Sequence, residues 1–291
     1  MKKILFILIT AIIAISSFAQ TKRALVIGIS DYPKCGADSW GAIHGANDVK
    51  LIVPVLQTQG FKTTDICNEA ATARRIRKEL NTLAASCKPG DIVYLHFSCH
   101  GQPFEDKDGD EGENDGWDES IVPYDAQKVF KKGIYEGQNH ITDDELHTYY
   151  RMISKKIGKS GFICVVYDAC NAGGASRGED KYVRGTHRAF SPNGKPYSPK
   201  TDKRRLLPIS QDPDSADITI LEACRNYQSN HEIKQSGEYY GPLSYYVSQI
   251  LKTKELTNSL DWVKDVEIAI KNRFKNSFTM KQDMVIEKTL K

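Results

Sequence analysis

Two short stretches carry the residues best placed to do chemistry. FSCHG, residues 97–101, sets an imidazole, His100, directly before Gly101, and GFICVVYDACNAGG, residues 161–174, sets a thiol, Cys170, two residues after Asp168. An ordinary cysteine, with a pKa near 8.5, is only about a few per cent thiolate at neutral pH, and a neighbouring histidine is the usual means of activating it. Cys170 and His100 are therefore a candidate nucleophile and base, the imidazolium then protonating a leaving amine. Gly101 lets a backbone amide approach a substrate closely, and with the amide of Cys170 it makes a candidate oxyanion hole. Free cysteines also pack as small hydrophobes, and Asp168 also reads as a cap for the turn behind it, so each stretch alone leaves both readings open.

The elements that must position these groups are strands. Ile163–Tyr167 and Asp91–Ser98 (DIVYLHFS) are apolar runs bounded by turn residues, as buried strands of a parallel sheet are. If the two are neighbours, about 5 Å apart, the thiol and the imidazole project into one crevice at their carboxyl ends, where open α/β sheets bind ligands. Alternation places Ser98 beside His100 and Asp168 beside Cys170, one step further into the sheet. A hydroxyl and a carboxylate beneath a nucleophile suit a cation, so the expected side chain in that pocket is Arg or Lys. Around these two strands, RALVIGI (23–29) and Phe61–Cys67 read as further strands, the latter at an edge. His44–Gln59, Thr72–Ala85 and Thr142–Ile157 read as helices, the last with a capping box of Thr142 and Glu145. Asp217–Ala223 and Asp283–Ile286 complete the strands, and Gly241–Thr253 and Leu260–Phe274 the helices. Strands alternating with helices over connections of this length imply right-handed βαβ units, hence an α/β fold.

The 291 residues open with MKKILFILITAIIAISSFAQ, two lysines, an apolar run and small residues at 17 and 19. That is the pattern of a cleaved signal peptide, 1–19, leaving a single domain, 20–291, exported to the periplasm or the extracellular space. No later apolar run has membrane-spanning length, and a net charge of +3 calls for no nucleic-acid partner. The seven cysteines lack paired zinc-site spacing, and their odd count leaves at least one thiol over. Residues 177–208 are basic, rich in Gly, Pro and Ser and without hydrophobic periodicity. They read as a linker between a large portion (about 20–176) and a small portion (about 209–291).

Taken together, ALVIGISDY, GANDV (45–49), FSCHG, the DGDEGENDGWDESIVPYD loop, ITDDEL (141–146), DACNAGG and ILEACRNYQSNHE followed by GPLSYYV resemble the caspase-like cysteine peptidases (peptidase C14), in particular the metacaspase branch. The resemblance covers most of the chain after residue 20. It implies a caspase-like fold, a mostly parallel six-stranded central sheet flanked by helices on both faces. It also implies catalytic Cys170 and His100, and a pocket for basic residues formed by Asp48, Ser98 and Asp168. The implied substrates are proteins or peptides with Arg or Lys at the position preceding the cut (P1), the enzyme is a monomer, and the linker is a self-processing site or an occluding peptide, with Arg177, Lys181, Arg184 and Arg188 among its cations. A clostripain- or legumain-like peptidase, or a non-catalytic caspase-like peptide-binding module, is the alternative.

Several positions depart from the family. Cys99 stands beside the histidine where glycine is common, and alternation directs it away from the site. Asn171 and Ala172 replace a histidine and a serine after the nucleophile. Many relatives are activated by Ca²⁺, yet Arg177 stands where the resemblance expects a ligand carboxylate, leaving Asp115, Asp143 and Asp144 as candidate ligands. No cofactor is required for the chemistry. Cys224 reads as structural or substrate-flanking, and His44, His96, His140, His147, His187 and His231 as ordinary surface or core histidines.

Overall fold

A computed structural model describes residues 20–106, 116–170, 182–186, 188–198, 201, 203–210, 212–277 and 281–289. The expected signal peptide (1–19), Asp115, Asn171, Ala172, Arg177, Lys181 and His187 lie outside these residues. In chain order the elements are β1 (Lys22–Gly28), α1 (Gly45–Thr58), β2 (Phe61–Cys67), α2 (Ala73–Ser86), β3 (Ile92–Ser98), β4 (His100–Glu105), β5 (Trp117–Val122), β6 (Ile141–Thr142), α3 (Asp143–Ile157), β7 (Phe162–Asp168), β8 (Leu206–Ile209), β9 (Asp217–Glu222), β10 (Ile233–Gln235), β11 (Glu238–Tyr240), α4 (Pro242–Leu251), α5 (Asp261–Phe274) and β12 (Val285–Thr289).

The central sheet has seven strands in the order β2-β1-β3-β7-β9-β12-β8. All neighbours are parallel except β12, which runs antiparallel to β9. Every residue of β3 is buried, as befits a strand covered on both faces. One face packs on α2 and α3 through Ile76, Leu80, Leu146, Tyr150 and Ile153, and the other on α1, α4 and α5 through Ile52, Leu56, Val247, Val263 and Val266. Helices thus cover both faces, as expected, and the sheet has one strand more than the six expected. That strand, β8, falls at the end of the expected linker. Its sequence, LLPI, carries Pro208, which a strand paired only with β12 accommodates at the sheet edge.

Two excursions from the sheet escaped the sequence pattern. β4, β5 and β6 form a separate antiparallel sheet, with β5 inside the DGDEGENDGWDESIVPYD segment read as a loop. In β4 the polar Gln102 is fully buried, its amide donating to the carbonyls of Lys128 and Arg188, so apolar alternation is absent. β10 and β11 form a hairpin turning at Ser236 and Gly237, both at positive φ, the backbone that two-residue hairpins prefer. The capping box of α3 forms by half: Thr142 Oγ1 accepts from the Glu145 amide, while the Glu145 carboxylate pairs with Arg77.

No helix of the described residues is long and apolar enough to cross a membrane. Among the described residues no disulfide forms.

Candidate active site

β3 and β7 are adjacent and parallel, with Ser98 opposite Asp168 at their carboxyl ends. That register brings FSCHG and DAC to one rim of the sheet. Asp48 arrives from the first turn of α1, which approaches so closely that Cβ atoms would not fit. One on Gly45 would lie 2.2 Å from the Ser98 carbonyl oxygen, and one on Gly28 would lie 2.4 Å from the Gly45 carbonyl oxygen. GANDV therefore begins with glycine for a steric reason, and Asp48, one turn on, points into the rim.

The three residues expected to form a pocket for basic residues do converge, and the cation in it belongs to the chain itself. Arg184, from the linker, is fully buried. Its Nη1 donates to Asp48 Oδ2 and Ser98 Oγ, each at 2.6 Å, and lies 3.5 Å from Asp168 Oδ1. Ser98 Oγ in turn donates to Asp48 Oδ2 at 2.5 Å. The partners of Asp168 among the described residues lie on other segments. Its Oδ2 accepts from the Ser244 amide and hydroxyl, both at 2.7 Å, at the start of α4, where a helix favours negative charge. Its Oδ1 accepts from Asn230 Nδ2 at 2.7 Å. Gly241 closes the pocket, because a Cβ there would sit 2.2 Å from Asp168 and 2.4 Å from Arg184.

A third carboxylate, Glu232, was missed in the sequence. Its Oε1 accepts from Arg184 Nε at 3.0 Å and Nη2 at 2.8 Å, and its side chain is fully buried. His44, expected to be an ordinary histidine, holds this carboxylate: its amide donates to Oε1 at 2.7 Å and its Nδ1 lies 2.5 Å from Oε2. Three buried carboxylates thus face one guanidinium. Burial, reinforced by Asp168, lifts Asp48 to about 7 against the opposing pull of Arg184. Burial disfavours the charge on Arg184 as well, yet Asp48, Asp168 and Glu232 outweigh it and hold the guanidinium protonated above its ordinary range.

The backbone of Arg184 is held as firmly. Its carbonyl accepts from the amides of Cys170 at 2.9 Å and Gly101 at 3.2 Å, the two groups expected to bind an oxyanion. Its amide donates to the Asn230 carbonyl at 3.0 Å, and the Glu232 amide donates to the Tyr182 carbonyl at 3.1 Å, so residues 182–184 lie antiparallel to 230–232 with Val183 bridging His231. This is strand addition of the kind by which peptides bind sheet edges. Beyond the carbonyl, a Cβ on Gly185 would stand 2.0 Å from the Cys170 carbonyl oxygen, so only glycine fits.

Cys170 and Gly101, the residue after His100, are the two whose amides hold that carbonyl. The Cys170 thiol donates to the Gln228 carbonyl at 2.8 Å, and Cys224, on the loop after β9, shares the same acceptor at 3.5 Å. Cys224 is therefore the immediate neighbour of Cys170, and hydrogen bonding to it, with burial, raises the Cys224 thiol well above its usual range. The His100 ring stacks on Trp40, with centroids 5.1 Å apart, and packs against Tyr32. Its Nε2 lies 2.8 Å from the Gly41 carbonyl, which only accepts, so Nε2 carries the proton and Nδ1 holds a lone pair. Nδ1 is buried and makes no hydrogen bond. Burial lowers His100 to about 4, against the Gly41 hydrogen bond and with Lys128 and Arg184 assisting, so the ring is neutral at pH 7. Cys99 is buried away from the site, its thiol pushed up to about 12 by burial. The assembly can activate a thiol, hold a developing oxyanion and grip a basic side chain beside both.

Of the candidate calcium ligands, Asp143 is half-buried, with its Oδ1 accepting from the Glu119 amide at 3.2 Å. Burial, then Glu119, Asp144 and Asp118, raise it well above the usual carboxylate range. Among the described residues no three His, Cys, Asp or Glu side chains are grouped to hold a metal ion. Asp115, the third candidate, lies outside the described residues, and the chemistry below uses no metal.

The caspase-domain family model matches residues 21–290. Metacaspase-1 of Schizosaccharomyces pombe is 35% identical over 170 residues, 55% of this chain and 36% of that protein. Metacaspase-1 of Plasmodium falciparum is 29% identical over 254 residues, 82% of this chain and 36% of that protein. The chain thus spans about a third of the length of these curated relatives. Among solved structures, a Geobacter sulfurreducens protein superposes with a TM-score of 0.60 at 19% identity, covering 92% of each chain. Caspase-1 of Spodoptera frugiperda gives 0.51 at 15%, covering 93% of this chain and 86% of that one. Both share the fold.

Proposed function

The chain belongs to the caspase-domain family, and from that premise we propose that it is a cysteine endopeptidase that cuts after basic residues and whose first substrate is its own Arg184–Gly185 bond. Cys170 Sγ attacks the carbonyl carbon of the P1 residue while His100 Nδ1 takes the thiol proton, the lone pair on Nδ1 being kept available by the Nε2–Gly41 contact. The amides of Gly101 and Cys170 stabilise the tetrahedral oxyanion. The C–N bond breaks as His100 returns its proton to the leaving amine, giving a thioester and the new amino terminus. Water, deprotonated by His100, then hydrolyses the thioester and regenerates the thiol.

One observation carries this reading: Arg184 lies in the acidic pocket while its carbonyl accepts from both amides, so one residue satisfies the specificity pocket and the reaction centre together. The pose also favours occlusion of the cleft in the uncut chain, since a second substrate requires the same pocket. The leader composition of residues 1–19 supports an exported enzyme.

Intact-mass measurement of the purified full chain tests the proposal. The wild type is expected to yield two fragments meeting between Arg184 and Gly185, and Cys170→Ala a single uncut chain with unchanged circular dichroism. An uncut wild type that also leaves Arg-P1 fluorogenic peptides intact, or a Cys170→Ala chain that still cuts, overturns it.

A further inference from the structure

Arg184 reaches its three carboxylates in two different ways. Its far tip, Nη1, meets Asp48, Ser98 and Asp168 at the pocket floor, while its flank, Nε and Nη2, meets Glu232 alone. The floor asks only for positive charge, whereas the flank asks for N–H groups along the side of the chain, and guanidinium and ammonium differ there.

We infer that Glu232, oriented by His44, makes this pocket discriminate arginine from lysine at P1, an inference that rests on the peptidase reading above. In lysine a methylene stands where arginine has Nε–H, and the ammonium sits at the position of the guanidinium carbon, one bond short of Nη1 and Nη2. Lysine thus brings a C–H to Glu232 Oε1 and has no second nitrogen for it. Glu232 is fully buried, so solvent does not replace the lost donors. The His44 amide donates to the same Oε1 and Nδ1 lies against Oε2, which holds the carboxylate in place whichever residue enters but leaves Oε1 one donor in place of three when lysine binds. A buried carboxylate left short of its donors costs affinity for the substrate that leaves it so. Asp48 and Asp168 give no such distinction, because an ammonium also satisfies a floor of oxygens.

A structural role for Glu232, limited to tying the 230–232 segment to α1 through His44, would change stability and leave the ratio between the two substrates unmoved. The test is therefore the ratio. Self-processed full-length protein is assayed with two fluorogenic peptides, Tyr-Val-Arg and Tyr-Val-Lys aminomethylcoumarin amides, which copy residues 182–184 and differ only at P1. The wild type is expected to prefer Arg by about 10- to 100-fold in kcat/KM, the span of one or two lost charge-assisted hydrogen bonds. Glu232→Gln is expected to shrink that ratio by at least about fivefold, the loss falling on the Arg peptide. Should Glu232→Gln fail to fold, Glu232→Asp, which keeps the charge but withdraws it by one methylene, must lower the ratio in the same direction. Equal wild-type rates for Arg and Lys, or a ratio unchanged in the variant, overturn the inference and leave the peptidase reading standing. Hydrolysis of neither peptide overturns the peptidase reading and this inference with it.

Discussion

The two sides of the Arg184–Gly185 bond are held by different forces. On the amino side Arg184 is held by charge and by a backbone hydrogen bond to Asn230, contacts that a separate peptide ending in arginine reproduces. On the carboxyl side, Phe190 is buried in an aromatic cluster, stacked on Phe104 at 5.0 Å, edge-on to Tyr135 at 5.6 Å and against His140 at 4.7 Å. Its backbone exchanges hydrogen bonds with β4: its amide donates to Pro103 and its carbonyl accepts from Glu105. Gly137, at φ +97°, admits both rings, since a Cβ there would lie 2.6 Å from Phe104 and 2.9 Å from Phe190. One side is an exchangeable ligand; the other is part of the core. Cutting the bond is expected to release the first and leave the second in place, so that the new amino terminus at Gly185 stays near the cleft.

The difference can be broken from either side. The largest effect is expected for Asp168→Asn, which removes an anion from Arg184 and sets an amide against the Ser244 donors. Breaking a buried ion pair costs about 3–5 kcal/mol, to be read from urea unfolding of the uncut chain, together with loss of self-cleavage; retained cutting at wild-type rate would remove charge as the grip on that side. Phe190→Ala is expected to cost about 3 kcal/mol by cavity formation while changing kcat/KM for a small Arg peptide less than threefold, about 0.65 kcal/mol. Limited proteolysis should then reach residues 190 and 191, both buried in the wild type. Loss of peptide turnover in this variant would join the two sides into one device.

The smallest effect expected is that of pH on self-cleavage. Burial holds His100 at about 4 in the uncut chain, so its base form is the dominant one at pH 5 as at pH 7, whereas an ordinary histidine near 6.5 would be mostly protonated at pH 5. Single-turnover self-cleavage should change less than about threefold between those values, about 0.65 kcal/mol. A tenfold fall would place His100 at its ordinary value. The sign for folding follows from the same depression: the neutral ring's contribution to stability is present above about 6.5 and is lost as the pH falls through about 4.

The strand–helix alternation, the carboxyl-end placement of His100 and Cys170, and the pairing of Ser98 with Asp168 were legible in the sequence because each is periodic or local. β4, β10 and β11 were not. Gln102 is buried by hydrogen bonding rather than by apolarity, and the β10–β11 hairpin is too short to show alternation. Asp48 was reached through resemblance alone, since its approach depends on Gly28 and Gly45 letting α1 touch the end of β3. Gly41 was invisible in a different way: a carbonyl that fixes the tautomer of His100 leaves no mark on residue type.

By itself, then, the sequence determined a thiol and an imidazole at the ends of two strands, with a hydroxyl and a carboxylate beneath them awaiting a cation. Only the tertiary structure decided that the cation is Arg184, that Glu232 and His44 complete its pocket, and that Cys224 adjoins the nucleophile. Pattern along the chain reports which groups share a strand face. Which groups meet across 136 residues, as Asp48 and Arg184 do, is fixed by packing, through close approaches that only a glycine permits and buried charges that only a partner can satisfy.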